Sequence, residues 1–342
     1  MKELRQHSLF SHLSDTHWQQ LLPHITTHQC AQGTPIVTED SQRHDLYGVL
    51  TGSVEFSSET PFGPQELGTL SHDDFFGEIS TIDGQPLRIT STALAPTTYW
   101  RIEGEALASL LEQDSQLAVF MYRRFWPVLA EKLNQVNRQF KRFFKGGAPT
   151  PPPLPAFGEH LPPDRPAWFA PPQTPPTPSV SMDTLSMDPE TIKKKYALLS
   201  TGLSEVEIDL LFARGDELAI PSEETIFQEG DFGDTLYFIL HGEVRISKNI
   251  PGVGDEALTV LTSGDIFGEM ALVAPNAVRS ASSLAHEGPA LLLAIRHHVL
   301  QGIRNQPEEL HFLQALCKMM AHRVRDSYSK LVSWKMMRGG FF

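Results

Sequence analysis

Apolar residues recur at helical spacing at two matching points of the chain. They are Leu9, Leu13, Trp18, Leu21 and Leu22 within 8–28, and Leu198, Leu199, Leu203, Ile208, Leu210 and Leu211 within 196–214. After each, the pattern changes to short alternating runs punctuated by glycine, over 33–103 and 217–296. Alternation turns one face of a strand to a core and the other to water, and the glycines supply the turns. Helical spacing then returns over 105–145 and 297–335. Helix, strands, helix, given twice, predicts an α+β chain that is mainly β: two antiparallel, jelly-roll-like β-rolls with flanking helices.

The two halves are copies of each other. A shift of 190 residues lays Glu39-Asp40 on Glu229-Gly230, Leu46-Tyr47 on Leu236-Tyr237 and Gly52 on Gly242. With one more residue of offset, Phe76-Gly77-Glu78 falls on Phe267-Gly268-Glu269 and Arg88 on Arg279. Between the copies, 146–189 holds 14 of the 26 prolines, which favour extended polyproline II and cannot donate to a sheet ladder. The expected domains are therefore 1–145, a proline-rich linker 146–189, 190–335, and a tail 336–342. The linker's Trp168-Phe169 pair is expected to anchor it on a domain or to cap a bound base.

The segment 267–282, Phe-Gly-Glu-Met-Ala-Leu-Val-Ala-Pro-Asn-Ala-Val-Arg-Ser-Ala-Ser, carries the candidate chemistry. Glu269 and Arg279 stand ten residues apart, at the two ends of a short apolar turn of helix. A helix N-terminus offers unpaired N–H groups to a small anion, and an arginine adds a planar clamp for phosphate oxygens. A carboxylate beside them can accept from a sugar hydroxyl. Phosphate next to ribose describes a cyclic mononucleotide. The segment resembles the phosphate-binding cassette of the cyclic nucleotide-binding domain family, and the resemblance extends upstream to the glycine-rich stretch 227–244. It covers roughly 197–333. It implies that Gly268, Glu269, Met270 and Ala271, with Arg279, Ser280 and Ala281, hold the ligand: the backbone and Arg279 the phosphate, Glu269 the ribose. cAMP is the expected ligand and cGMP the alternative, because in related cyclic GMP-dependent kinases a threonine at the position of Ser280 goes with guanine preference.

The matching residues of the first copy are Gly77, Glu78, Ile79, Ser80, Arg88 and Ile89. That copy departs from the family pattern. Asp40, Arg43 and His44 stand where the second copy has Gly230, Gly233 and Asp234, and Ile89-Thr90 replaces Ser280-Ala281. Glycines at those points permit positive φ, and a bulky Ile crowds a phosphate. The first copy is therefore expected to bind more weakly or with altered selectivity, or to be a scaffold that has lost its ligand.

Composition narrows the field. The chain of 342 residues is 40% hydrophobic and 20% charged, with a net charge of −13. The acid excess is spread along the chain, which gives no basic footprint for nucleic acid. Cys30 and Cys317 are far apart, which argues against disulfides and structural zinc. No apolar run reaches the ~20 residues of a membrane span. A cytoplasmic protein without catalytic centre, metal or cofactor is expected. Gly252-Val-Gly254-Asp-Glu-Ala257 matches a loose dinucleotide fingerprint, but it lies between strand-like runs and reads as a hairpin loop.

Leu310, Leu313, Cys317, Met320, Val324 and Leu331 form an apolar seam on the last helix. It can pack on its own roll or pair with a second subunit, a possible homodimer through 310–331. In the first long helix, Pro127 and Lys132 interrupt the apolar pattern. A transcription factor of the catabolite-activator type would need a helix-turn-helix after 335, where seven residues remain. A kinase regulatory subunit would need a docking segment before the first domain. The expected function is that of a cyclic nucleotide sensor acting on an unidentified protein effector; an interaction scaffold, or the regulatory subunit of an enzyme complex such as a kinase, is the alternative.

Overall fold

The computed structural model describes residues 2–39, 41–60, 63–86, 89–144, 205–250, 254–273, 278–306 and 308–339. The expected linker, Trp168-Phe169, Arg88 and the tail from 340 lie outside them. The chain folds as two units. One takes in the first roll with its helices and the chain from Leu316 onward; the other takes in the second roll as far as Ala315. The expected limits, with all of 297–335 in the second domain, differ at this point.

The first unit opens with helices α1 (Lys2–Gln6) and α2 (Asp15–Leu21). The Ser14 side chain accepts from the His17 amide and starts α2. The helix expected over 8–28 is shorter than its apolar pattern. Pro23 lies in a 3-10 turn, and β1 (Ile25–Cys30) begins where β-branched residues take over. Two four-stranded antiparallel sheets follow. The first has the order β1, β8 (Thr97–Ile102), β3 (Leu46–Thr51), β6 (Phe75–Phe76). The second has the order β2 (Pro35–Val37), β7 (Thr90–Ala93), β4 (Val54–Ser58), β5 (Gln65–Leu70). Helix α3 (Glu78–Asp83) sits between β6 and β7.

The helical stretch 105–145 is two helices, α4 (Gly104–Gln113) and α5 (Ser115–Phe144). Asp114 divides them: its carboxylate accepts from the amides of Gln116 and Leu117 and caps α5. Pro127 is inside α5, and the helix continues through it.

The second unit holds α6 (Glu205–Arg214) and one six-stranded antiparallel sheet. Its long strands β11 (Thr235–Ile250) and β14 (Ser282–Arg296) run unbroken where the first roll uses two strands each. Register shifts between Ile239 and Glu243 bend β11 so that one strand serves both layers. On them pair β9 (Asp216–Ile220), β10 (Thr225–Phe227), β12 (Gly254–Leu261) and β13 (Ile266–Phe267). Ile250 faces Gly254 across the ladder, so the loose dinucleotide match joins two antiparallel strands with no helix to receive a pyrophosphate. Ile239, Val244, Phe267, Ala285 and Leu292 lie at the centre of the core.

The helix expected over 297–335 is also two, α8 (His297–Ile303) and α9 (Glu309–Gly339). Asn305 has φ 63°, which no helix continues through, and the Glu309 carboxylate accepts from its amide. Cys317, Met320, Val324 and Leu331 on α9 are buried within the chain itself. The Cys317 thiol donates to Tyr122 O on α5 at 3.6 Å. From Cys317 onward the seam expected to serve a homodimer is therefore buried within its own chain, with Cys317 against α5.

A buried histidine gives this unit a pH dependence. The His7 ring lies edge-on to Trp100 at 5.2 Å. Its Nδ1 accepts from the Leu9 amide, so Nε2 carries the proton and donates to Asp74 O. Burial pulls its pKa down to about 4, against the opposing charge of Asp73. The unfolded chain takes up this proton near pH 6.5 and the folded chain only near 4. Stability is therefore full above about 6.5 and is lost as pH falls through that window, by about 1.4 kcal/mol per pH unit. Urea titrations at about pH 7 and pH 5 are expected to show this slope, and His7→Gln to flatten it.

Candidate functional site

In the second roll, β13 ends at Phe267 and the chain enters α7 (Glu269–Val273) through Gly268, at φ 81°. A Cβ there would lie 2.6 Å from Arg279 Nη1 and 2.8 Å from Thr235 O. Glycine supplies both the left-handed turn and the room. Arg279 arrives on the other arm, where its amide donates to Asp231 O and its carbonyl accepts from the Gly230 amide.

The Arg279 side chain is 4% exposed. Its Nη1 donates to Thr235 O at 2.9 Å and Gly268 O at 2.8 Å. The guanidinium lies 4.2 Å from the Phe227 ring centre and 5.6 Å from that of Tyr237, a cation–π cage. Its Nε–H is buried and has no hydrogen-bond partner. Burial lowers its pKa, and Tyr237, Asp234, Glu269 and Asp231 raise it. Gly233 is what lets the side chain tuck in: a Cβ would stand 2.3 Å from Nε. Sequence spacing suggests positive φ for Gly233, but the structure assigns that only to Gly230 and uses Gly233 for space.

The segments 268–271 and 279–281 meet. The Ser280 hydroxyl is 3.4 Å from Met270 Sδ, and Ala281 is buried in the core. Glu269 is 1% exposed at the start of α7, and Met270 and Ala271 are buried behind it. Four neighbours carry no signal in the cassette segment itself. Thr235, Phe227 and Tyr237 surround the guanidinium; Lys248 donates to Ser280 O at 2.7 Å and pairs with Glu229 at 3.1 Å. A signal for Tyr237 exists elsewhere. The repeat places Tyr47 on it, and each tyrosine stacks on the matching Phe76 or Phe267 at 5.0 Å.

The first roll repeats the frame with other contents. Gly77, at φ 96°, starts α3, and a Cβ there would lie 2.1 Å from Asp45 O. A cleft lies above it, lined by Arg43, Asp45, Tyr47, Ser80, Ile89 and Ser91 among others. Ser80 Oγ is buried without a partner, and Ile79 is buried behind it. Ile89 lines the cleft as its bulk suggests, and Asp45 adds a carboxylate where the second roll has neutral Thr235. Asp45 is held by Arg101 at 2.7 Å, by the Gly104 amide and by the Tyr47 hydroxyl.

Glu78, the counterpart of Glu269 among the expected ligand residues of the first copy, is not among the residues lining this cleft. It is fully buried and accepts from Lys132 Nζ at 2.6 Å; its other oxygen has no partner. Lys132, which reads as an interruption of the apolar pattern of α5, is its counter-ion. No cluster of three or more potential metal ligands occurs among the described residues, and no described helix is long and apolar enough to cross a membrane.

The profile of the cyclic nucleotide-binding domain matches twice, over 27–114 and 217–306, together a little over half of the chain. The cyclic AMP receptor protein of Thermus thermophilus is 36% identical over 133 residues, 39% of this chain and 60% of that protein. A CRP-like cAMP-activated global transcriptional regulator of Mycobacterium tuberculosis is 30% identical over 111 residues, 32% of this chain and 48% of the regulator. The chain thus spans about half to three fifths of these relatives. Among solved structures, the regulatory domain of Toxoplasma gondii PKA with cAMP is 16% identical, with 97% of this chain and 94% of that one covered, at a TM-score of 0.31. The Thermus thermophilus catabolite activator protein is 33% identical over 39% of this chain and 61% of its own, at 0.34. With two profile matches placed on the two rolls and their cassettes, the chain belongs to the cyclic nucleotide-binding domain family.

Proposed function

We propose that this chain is a regulatory protein that binds a 3′,5′-cyclic mononucleotide, cAMP before cGMP, in the second roll. The observation that carries the reading is the Arg279 guanidinium: buried, caged by two aromatic rings, and left with an unpartnered Nε–H. A buried charge met mainly by carbonyls and ring faces gains strongly from an anion placed against it. The amides at the start of α7 add donors for the same phosphate, and Glu269 takes the ribose hydroxyl. Ligand then biases the cassette and α8 toward one arrangement, and a protein effector reads the shift. The protein acts in the cytoplasm, as a regulator and not a catalyst, and without sequence-specific DNA binding of its own.

The first roll is read as a weaker or altered site, because Glu78 is engaged by Lys132 and the bulk of Ile89 lines the cleft. Calorimetric titration of the full chain with cAMP is expected to show one tight site, with cGMP at least about tenfold weaker. Hydrogen exchange is expected to slow in 268–273 and to change in 297–303. Absence of binding to either nucleotide overturns the reading; tighter cGMP binding overturns the choice of base.

A further inference from the structure

We propose that Arg325 of α9 is a latch on the cassette of the first roll, holding it in a shut form that keeps Glu78 away from the cleft. The inference rests on the reading of the first roll as a ligand site. All three guanidinium nitrogens of Arg325 are committed to one short turn. Nε donates to Asp83 Oδ2 at 3.0 Å, and Nη2 to Asp83 Oδ1 and Oδ2 at 3.0 and 2.8 Å. Nη1 donates to Pro86 O at 2.7 Å, and Nη2 also to Gln85 O at 3.0 Å. Arg325 is 19% exposed and Asp83 9%, so the pair is shielded from salt. A planar fork fixed by a bidentate carboxylate and two carbonyls defines position as well as attraction.

The same helix also reaches the other end of α3. Cys317 and Tyr328 lie near Glu78, close enough for its charge to raise both their pKa values after burial has done so. Glu78 itself is turned onto Lys132 and away from the cleft that its neighbours Gly77 and Ser80 line. Arg325 thus holds the C-terminal end of α3, while its helix carries Cys317 and Tyr328 near Glu78 at the other end. The latch has an acceptor particular to this cassette. At the same offset the second copy has Ala274 in place of Asp83, which can accept nothing through its side chain.

Linkage sets the sign. If the shut form excludes ligand, the latch and the ligand oppose each other by equal factors. Binding in the first cleft must release Arg325, and loss of Arg325 must favour binding. The test uses the full chain carrying Arg279→Ala, so that uptake reports the first cleft. Uptake of a fluorescent cAMP analogue and hydrogen exchange over 78–86 are compared in this chain, with Arg325→Ala added, and with the swapped pair Arg325→Asp and Asp83→Arg.

Adding Arg325→Ala is expected to tighten uptake at least about tenfold and to speed exchange over 78–86; the swap is expected to reverse both. Unchanged or weaker uptake overturns the latch, as does unchanged exchange, or faster exchange with no uptake in any variant. The exchange comparison needs no ligand. It stays readable if the second roll of the unsubstituted chain fails to bind, the outcome that would defeat the proposed function instead.

Discussion

Arg279→Ala is expected to lower the cAMP affinity of the full chain at least about a hundredfold. Two charge-assisted hydrogen bonds to phosphate at ~1.5–3 kcal/mol each account for a loss of that order. The wild-type side chain is already placed by Thr235 O, Gly268 O and the two rings, so little ordering opposes binding. Arg279→Lys keeps the charge but not the fork, and is expected to recover only part of the loss. Gly233→Ala should act on the same atoms from outside, since its methyl would take the place of Nε. Calorimetry checks all three. An Arg279→Ala chain that binds as wild type would remove Arg279 from the site.

Lys132→Met is expected to destabilise the first unit by about 3–5 kcal/mol, because it leaves the Glu78 carboxylate buried without its counter-ion. Adding Glu78→Gln removes the orphaned charge, and the double variant is expected to regain most of the loss. This pattern separates an ion pair from simple packing, since a packing defect at Lys132 would not be repaired by changing Glu78. Chemical denaturation of Lys132→Met, Glu78→Gln and the double variant reads it directly. Additive losses would mean that the pair is not coupled.

The local chemistry of the site is legible because the family's cassette is contiguous in sequence. Glu269, Arg279 and the small residues around them lie within one short segment, and the repeat supplies Gly77, Glu78 and Ile89 at the same offsets. The aromatic cage is not legible: Phe227 and Tyr237 stand in the stretch 227–244 that carries the resemblance, and Tyr237 repeats Tyr47, but neither signal places their rings against Arg279 on a distant arm. Lys132 is opaque for the same reason. A lysine on an apolar helix face breaks the pattern until Glu78, 54 residues away, is seen beside it.

Residues close in the chain, with periods of about 2 and 3.6, set the two rolls, their order, the cassette segments and the turns at Gly77, Gly230 and Gly268. Tertiary structure alone decided how those parts are used. A helical period shows that α9 has an apolar stripe but carries no information about what covers it. The stripe could meet its own roll or a second subunit, and at Cys317 it meets Tyr122 on α5. In the same way Arg325 is one more surface cation in the sequence, and becomes a clamp only when folding brings Asp83, Gln85 and Pro86 within reach. Local pattern sets which face of an element is apolar or charged; only packing decides what that face meets.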